Sequence, residues 1–441
     1  MIQNPEIEIA DETEDAEDAD VGNLDGLTRW VNRALPPSRN TTPLSSATSA
    51  LSEAISIAGP WMIRARILLT TIAFATTAIA QDSTPVPDPD PKPQPAQPPP
   101  APTDDDIAHW LAGMRPEGVA LQSFALVPAW KQHAKELAEA WVESEHERLT
   151  KVRSWAPAAL GEVCTGESPV FYFFSGGDFL YPHSLFPNAK TYVLCTREPV
   201  GSQPDPTRIP AGALSEALTG FRNSLNPLLD FSFFITKDLR KDVEQRHIPG
   251  ILPVLELILA RQGAHIEEVQ PVRCSADGTI ANDAKTKGGT PGVRIRFRAD
   301  KNSDQTLYYF FGDISNGGLK THGGVLRFCE TLGPGRSLLK AASFLPHESE
   351  FTRINEWLLG HSQAIVQDPS GIPFRAFPKE KWTLRFWGRN TKPIEIFAKY
   401  NEPDLRAAVE AEPALRLPFG FGYQHEAENA LLILAERTDA N

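Results

Sequence analysis

Short runs that favour strands alternate with longer runs that favour helices from residue 168 onward, and this alternation restricts the fold more than any other feature. The helix-like runs carry apolar residues three and four positions apart, whereas the strand-like runs are rich in aromatic and β-branched residues. The predicted strands are PVFYFFSG, KTYVLCTRE, DFSFFITKDL, AHIEEVQPVR, GVRIRFRAD, QTLYYFFGDIS, AIVQD, WTLRFWG and PIEIFAK. The predicted helices are AGALSEALTGFRNSLN, GILPVLELILARQG, GGVLRFCETLG and EFTRINEWLLGHS. Such alternation predicts an α/β fold in which a mixed sheet is flanked by helices.

Two strand-like runs resemble each other, since FYFFSGGDF and YYFFGDIS are both aromatic and both continue into Gly followed by Asp. SFFITKDL and SFLPHESE form a second similar pair. The two pairs are offset by 137 and 111 residues, so a duplication into two similar lobes would require an insertion of about 26 residues in the first half. The alternative is that the aromatic strands arose independently.

A helical segment is predicted at 105–160, ahead of an α/β domain at 161–441. DDDIAHWLAGM begins with carboxylates, which stabilise the N-terminus of a helix. From Pro128 to Trp155, Ala, Leu, Trp and Val recur at helical spacing among charged residues, which predicts one long amphipathic helix. Its apolar face is expected to lie on the domain that follows.

The segment 62–80 has the pattern of a secretory signal peptide. Arg64 and Arg66 form a positively charged start, an apolar stretch too short to span a bilayer comfortably follows, and small residues precede the expected cleavage site after Ala80. A buried helix or a single membrane anchor is the alternative. Cleavage would yield a periplasmic or secreted protein without an integral membrane span.

The regions on either side of this segment have compositions typical of non-globular chain. Residues 1–61 carry 11 Asp and Glu against three Arg and show little apolar periodicity, so they are predicted to be disordered. Because a signal peptide begins a chain, Met62 is the expected start and residues 1–61 an over-extended N-terminus; a cytoplasmic tail is the alternative. Residues 81–104 contain closely spaced Pro and are predicted to form an extended linker.

The net charge of the chain is −13, and no long run of Lys and Arg occurs in it. Phosphate backbones are bound by clustered Lys and Arg, so nucleic acid is not an expected partner. A polybasic contact with a membrane surface is disfavoured for the same reason.

The usual cofactor, metal and nucleophile motifs are incomplete. GxGxxG, the P-loop, HExxH and GxSxG are not found, so no cofactor is assigned and no metal site is predicted. The spacings of the four cysteines do not match a metal motif either, and although export would permit disulfides, the sequence assigns no pairing. These cysteines are Cys164, Cys195, Cys274 and Cys329.

Two carboxylates, Asp178 and Asp313, are candidate catalytic groups because each follows a predicted aromatic strand and a Gly. Ligands of open α/β sheets bind at the carboxyl ends of strands. There a pair of carboxylates can bind a cation, hold sugar hydroxyls or act as acid and base. The competing interpretation is that each Asp caps its own turn.

Three histidines, His183, His322 and His347, are the second set of candidate catalytic residues, since each lies near a predicted strand end. Histidine suits proton transfer near neutral pH, but these three lack the spacing of metal ligands. Surface or capping roles are the alternative.

The remaining candidates would bind a ligand rather than react with it. Ser175, Gly176 and Gly177 form the turn before Asp178. Glu198 and Lys340 are charged residues within apolar stretches, where a charge must pair, reach solvent or serve a site. Asp368 belongs to the turn sequence QDPSGIPF.

Several of these stretches together resemble an uncharacterised family of exported bacterial proteins. The resembling segments lie within about residues 169–437 and are YFFSGGDFLYPHSLFPNAKTYVLCTREPVG, LLKAASFLPHESEFTRINEWLL, QDPSGIPF and LPFGFGYQH. The family has no established activity, so the resemblance implies an envelope or secreted location and no catalytic roles.

The expected function is that of a binding or scaffold protein of the cell envelope. Its partner would be a small polar ligand, a glycan or another envelope protein, with Tyr181, Trp387 and Tyr423 available for stacking. The alternative is a hydrolase that uses Asp178 and Asp313 together with one of the three histidines.

Overall fold

Ten strands pair into one mixed sheet in the computed structural model, which describes residues 100–174, 176–231, 233, 247–282, 288–300, 303–389, 394–413 and 415–438. In chain order they are β1 (Val170–Phe173), β2 (Thr191–Thr196), β3 (His265–Cys274), β4 (Ile280–Ala281), β5 (Thr290–Arg298), β6 (Asp304–Phe311), β7 (Gly335–Leu339), β8 (Ser362–Gln367), β9 (Trp382–Gly388) and β10 (Leu431–Arg437). Across the sheet their order is β4-β3-β5-β6-β2-β1-β7-β8-β10-β9. The predicted α/β class with a mixed sheet is confirmed.

Helices connect the strands and cover both faces of the sheet. Those in the described residues are α1 (Asp104–Leu111), α2 (Val119–Gln122), α3 (Pro128–Ser144), α4 (Thr150–Leu160), α5 (Glu162–Thr165), α6 (Leu180–Leu185), α7 (Ala211–Phe231), α8 (Leu252–Arg261), α9 (Leu319–His322), α10 (Gly324–Thr331), α11 (Thr352–His361) and α12 (Pro403–Ala411). Short 3₁₀ turns occupy Pro206–Arg208, Leu345–His347, Ser349–Phe351, Phe374–Ala376 and Glu395–Tyr400.

The five central strands run parallel in the order β6-β2-β1-β7-β8. From β1 the chain proceeds to β2 and β6 on one side, and then returns to β7 and β8 on the other side. Val170 therefore pairs with Tyr192 of β2 and with Arg336 of β7. The strand order reverses between β1 and β7, which is where ligands of open α/β sheets bind.

Side chains of β1 alternate between the two layers that cover the sheet. Val170 and Tyr172 belong to the larger core, which packs against α1, α3, α4, α6, α7 and α8. Phe171 and Phe173 belong to the second core, which packs against α9, α10 and α11. Full burial of a Phe side chain stabilises a fold by about 1.5–3 kcal/mol, and both of these rings are at most 1% exposed. The aromatic run VFYF of the predicted strand PVFYFFSG is therefore a central strand buried on both faces.

The N-terminal helical segment packs into the larger core, where Trp110 and Leu111 of α1 are fully buried. The long helix predicted from Pro128 is present as α3 and α4, joined by a π-helical turn at Glu145–Leu149. The carboxylate of Asp105 accepts a hydrogen bond of 2.8 Å from the amide of Ile266 on β3. Among the described residues, no helix is both long enough and apolar enough to cross a membrane.

Several sequence expectations need correction or fall outside the described residues. PIEIFAK was predicted as a strand, but Glu395–Tyr400 is a 3₁₀ turn whose aromatic side chains pack on a neighbouring loop instead of pairing with a strand. The two similar aromatic strands, β1 and β6, lie in one sheet with β2 between them, so they do not define two lobes. Segments 1–61 and 62–80, most of the linker at 81–104 and most of DFSFFITKDL lie outside the described residues; Asp230 and Phe231 end α7.

Candidate functional site

Three buried charged residues follow the ends of the three neighbouring strands at the reversal of strand order. Asp178 follows β1, Lys340 follows β7 and Asp368 follows β8. Each is at most 2% exposed. Asp178 and Lys340 are 162 positions apart in the chain, and the parallel pairing of β1 with β7 brings them together.

The turn after β1 brings Asp178 into contact with Tyr172 of the strand that precedes it. Phe174, Gly176 and Gly177 have positive φ angles of 66°, 59° and 89°. A Cβ on Gly177 would lie 2.6 Å from Cγ2 of Ile251, so the turn requires Gly there for both conformation and space. Ser175, which lies between Phe174 and Gly176 in the sequence, is outside the described residues. The turn places Asp178 beside the strand that precedes it.

Asp178 forms a buried ion pair with Lys340, with 3.0 Å between Oδ2 and Nζ. The Tyr172 hydroxyl donates to the same oxygen at 3.1 Å, and the amide of Tyr181 donates to Oδ1 at 3.3 Å. The Lys340 ammonium also lies 4.2 Å from the centre of the Tyr181 ring. Burial, followed by the negative charge of Asp178, raises the pKa of Tyr172 well above its ordinary value, so its hydroxyl stays protonated and donates. Removal of either charge would leave the other desolvated without its ion-pair partner.

Asp368 accepts hydrogen bonds from three chain segments. Oδ1 accepts from the amide and the hydroxyl of Ser370 at 3.0 and 2.5 Å, and Oδ2 accepts from the amides of Ala341 and Tyr423 at 3.2 and 3.3 Å. Burial raises the pKa of Asp368, although these hydrogen bonds and the charge of Lys340 oppose the rise. Gly422, at φ 65°, allows this approach because a Cβ there would overlap the Asp368 carboxylate. Asp368 therefore ties β8 to the loop after β7 and to the segment before β10.

The loop after β7 has an unusual backbone. Ala341, Ser343 and Phe344 all have positive φ angles, between 51° and 55°, although none is Gly. Each such residue costs on the order of 1–3 kcal/mol unless its surroundings enforce it. Here the amide of Ala342 donates to the Ser370 hydroxyl at 2.8 Å, and the amide of Ser343 donates to the Tyr423 hydroxyl at 3.1 Å. Buried polar side chains thus hold a strained loop in place.

A small open pocket lies against this loop. Its aromatic wall consists of Phe344, Phe397, Tyr400 and Tyr423, with the Phe344 and Tyr400 rings parallel and 5.0 Å apart. Asp368, Ser370, Glu402, Asn401 and Gln424 supply its polar lining. Its cavity volume is about 30 Å³, which admits about one or two water-sized groups.

Two ionisable groups near the pocket have shifted pKa values. Burial raises the pKa of Glu402 to about 7, although the amide of Phe374 donates to its carboxylate at 3.0 Å. Burial lowers the pKa of His347 to about 4, so its ring is neutral at pH 7. That ring lies 5.1 Å from the ring of Phe344, beside the turn at residues 369–371.

Asp313 has a different environment from Asp178. It is half-buried, and its Oδ1 accepts a hydrogen bond of 2.8 Å from the amide of Ser315, two residues later. His322 lies nearby, bonded to the Thr290 hydroxyl at 3.1 Å, and burial lowers its pKa. Among the described contacts, none joins Asp313 to Asp178.

Three further candidates lie in cores rather than at the pocket. His183 on α6 stacks on Phe179 with 5.6 Å between ring centres, and burial lowers its pKa to about 4. Trp387 on β9 packs edge-on against Trp155, with 5.5 Å between ring centres. Glu198 is buried after β2, and its backbone carbonyl accepts a hydrogen bond of 2.8 Å from the Tyr309 hydroxyl.

The cysteines are all free and buried, and burial raises the pKa of every one, so they are neutral thiols. Cys195, Cys274 and Cys329 belong to the second core. Within the described ranges, no group of three His, Cys, Asp or Glu side chains is arranged to hold a metal ion.

The structure also contains site residues that sequence reasoning missed. Ser370 lies in the turn sequence QDPSGIPF, and its hydroxyl accepts the hydrogen bond from Ala342 that holds the strained loop. Tyr172, Phe344 and Glu402 carried no motif. The one sequence feature that pointed to this part of the site was LPFGFGYQH, in which Gly420, Gly422 and Tyr423 lie close together.

The chemistry of the site is therefore that of a buried ion pair, a strained loop and a small aromatic pocket with two carboxyl groups. These features all lie on the carboxyl side of β1, β7 and β8. No protein-family model, curated protein or solved structure matches this chain.

Proposed function

We propose that this protein is an exported binding module that holds a small polar ligand in the pocket beside Asp368. The observation that carries the proposal is the position of this pocket next to the reversal of strand order, against a loop strained at Ala341, Ser343 and Phe344. Backbone strain that surrounding side chains enforce is concentrated at ligand-binding and catalytic sites. The fold thus maintains this loop geometry at an energetic cost.

The surroundings of the charged and polar residues favour a binding role. Asp178 and Lys340 are enclosed and bonded to each other, so they support the loop from behind and do not face solvent. The pocket itself combines aromatic walls with a few polar groups, which is the usual composition of a small-molecule site. Its small volume means that only one compact group of a ligand enters it, while the rest of the ligand lies on the rim.

Ligand screening by thermal shift tests this proposal. The full chain is heated in the presence of saccharides, polyols, amines, amino acids and carboxylates, because a ligand of the folded state raises Tm by mass action. We expect at least one class to raise Tm in the wild type, and Tyr400→Leu at the pocket rim to abolish the increase. Phe311→Leu, a matched loss of an aromatic ring at the end of β6, should keep it. Absence of any increase with every class would contradict the proposal.

A hydrolase is the second candidate, and the observation that favours it is the neutral His347 beside the turn that carries Asp368 and Ser370. A neutral imidazole can accept a proton, and Asp368 would be the carboxyl group on the adjacent turn. The version that pairs Asp178 with Asp313 has no contact to support it in the described structure. Turnover of an ester or glycoside by the wild type, lost in His347→Ala with ligand binding retained, would replace the binding proposal with this one.

Export is the part of the proposal that rests on residues 62–80. Sequencing the N-terminus of the protein recovered outside the cytoplasm tests it. A first residue of Gln81 supports signal cleavage after Ala80. An intact Met1 would contradict it.

A further inference from the structure

We propose that the ligand presents a primary ammonium group to the pocket, with Asp368 and Glu402 as counter-charges and aromatic rings as the surrounding wall. This inference rests on the proposed function, because it names the chemical class of the ligand held at the same site. Three features of the pocket carry it: the sign of its charges, the nature of its wall and its volume.

The charges that line the pocket have one sign. Asp368 and Glu402 are its ionisable carboxyl groups, and no Lys, Arg or His is among the described lining residues. The two nearby ammonium groups have carboxylate partners of their own. Lys340 is 3.0 Å from Asp178 on the buried side, and Lys399 is 2.8 Å from Glu348 at the rim. An anionic ligand would therefore meet two carboxyl groups, whereas a cation would complement them.

The wall of the pocket suits a cation as well. Aromatic faces attract ammonium groups through the ring quadrupole. The protein already shows such contacts elsewhere, since Lys340 lies 4.2 Å from the centre of the Tyr181 ring and Lys399 lies 4.5 Å from that of Tyr400 at the pocket. The remaining rings that line the pocket, Phe344, Phe397 and Tyr423, extend the same surface.

The volume selects among cations. About 30 Å³ accommodates a group of roughly one or two water molecules in size. A primary ammonium has that size, whereas a trimethylammonium group is several times larger. The site is thus expected to distinguish primary amines from quaternary ones.

The carboxyl groups are expected to respond to a bound cation, although Asp368 is already influenced by the charge of Lys340. Burial raises the pKa of both Glu402 and Asp368. The charged groups that act on Glu402 are Arg375, which is exposed, and Asp404 in the first turn of α12, which opposes Arg375. A bound ammonium would stabilise the ionised carboxylates and release the proton that Glu402 holds near pH 7. Binding should therefore strengthen as pH rises from 6 to 8.

Calorimetric titration of the full chain with three probes of similar size, and with the larger quaternary cation choline, tests the inference. Ethanolamine is the cation, ethylene glycol its neutral counterpart and glycolate the anion. We expect ethanolamine to bind at least about tenfold more tightly than ethylene glycol, and glycolate and choline not to bind. Glu402→Gln should weaken ethanolamine binding about tenfold, because it removes one charge-assisted hydrogen bond. It should also abolish the strengthening between pH 6 and 8.

Glu410→Gln is the matched control, since it removes the same charge from an exposed position of α12. It should leave binding unchanged. If Glu402→Gln does not fold, Tyr400→Leu replaces it, with an expected loss of about tenfold from the missing ring.

The outcomes separate this inference from the proposed function. Binding of ethylene glycol or a saccharide that equals or exceeds ethanolamine binding, unchanged by Glu402→Gln, would overturn the ammonium inference and leave the binding module intact. Absence of binding by every probe, together with no thermal shift for any ligand class, would overturn both.

Discussion

The ends of β1 and β6 have nearly the same sequence and opposite uses. Both strands are aromatic and continue into Gly and Asp, yet Asp178 is 1% exposed and paired with Lys340, whereas Asp313 is half-buried and bonded to the amide of Ser315. One carboxylate joins distant segments, and the other caps its own turn.

Two local differences produce this contrast. After β1, Gly176 and Gly177 both have positive φ angles, and the Asp178 carboxylate that follows them bonds to Tyr172 of the same strand. After β6 a single Gly312 precedes Asp313, whose Oδ1 accepts a hydrogen bond from the amide of Ser315. The position in the sheet adds the second difference, because β1 is adjacent to β7, which Lys340 follows, and β6 is not. A short motif therefore does not define a site unless the neighbouring strand supplies its partner.

The largest expected effect is that of Lys340→Met. The substitution leaves the Asp178 carboxylate buried without its ion-pair partner and should lower the free energy of unfolding by about 3–5 kcal/mol. Urea denaturation of the full chain measures this change. Lys320→Met on α9 removes an exposed ammonium near the end of β6 and should change stability by less than about 0.5 kcal/mol. Equal effects of the two substitutions would erase the distinction between the two strand ends.

Gly422→Ala should have the next largest effect. Its φ of 65° and the overlap of a new Cβ with the Asp368 carboxylate should together cost about 1–3 kcal/mol or more. Gly212→Ala, at a helical position of α7 with open space, is the control and should be neutral or slightly stabilising. Urea denaturation compares them. A neutral Gly422→Ala would mean that Asp368 does not require this close approach.

Asp313→Ala should have a smaller effect of about 1 kcal/mol, because it removes one local hydrogen bond at a half-exposed turn. Asp313→Asn preserves the acceptor oxygen and should be close to wild type. The same denaturation series checks both. A loss of more than about 3 kcal/mol for Asp313→Asn would show a charged role equal to that of Asp178.

The smallest expected effects are opposite dependences on pH at Asp368, which follows β8, and at His322 on α9. The pKa of Asp368 is raised in the folded state, so its contribution to stability falls as pH rises above the unfolded value of 3.8. The pKa of His322 is lowered, so its contribution falls as pH drops below the unfolded value of 6.5. The stability difference between wild type and Asp368→Asn should therefore decline between pH 4 and 7, and that between wild type and His322→Gln should increase. If both stability differences rise, or both decline, between pH 4 and 7, the assigned pKa shifts are contradicted.

The fold class was predictable from the alternation of helical and strand periods, because buried strands such as β1 and β2 and amphipathic helices such as α7 have strong local patterns. β7 was not recognised, since GRSLL is short and contains Arg and Ser that bond within the core. The ion pair could not be predicted for that reason. Pairing Asp178 with Lys340 requires knowledge of which strand lies beside β1, and local pattern carries no such information.

The pocket was less predictable than the ion pair. Its walls come from the loop after β7, from the segment PIEIFAKYNE and from the segment before β10, which meet only in the folded chain. PIEIFAK alternates in the way that strands do, so the turn that places Phe397 and Tyr400 on Phe344 was missed. Tertiary packing decided the structure there.

A double-mutant cycle on Asp178 and Lys340 tests most directly whether a buried ion pair organises the site. The free energies of unfolding of the wild type, Asp178→Asn, Lys340→Met and the double variant are measured by urea denaturation. Each single substitution leaves one charge buried without its partner, whereas the double substitution removes both charges. We therefore predict that the double variant loses less stability than the sum of the single losses, by at least about 1 kcal/mol. Additivity within about 0.3 kcal/mol would contradict the pairing.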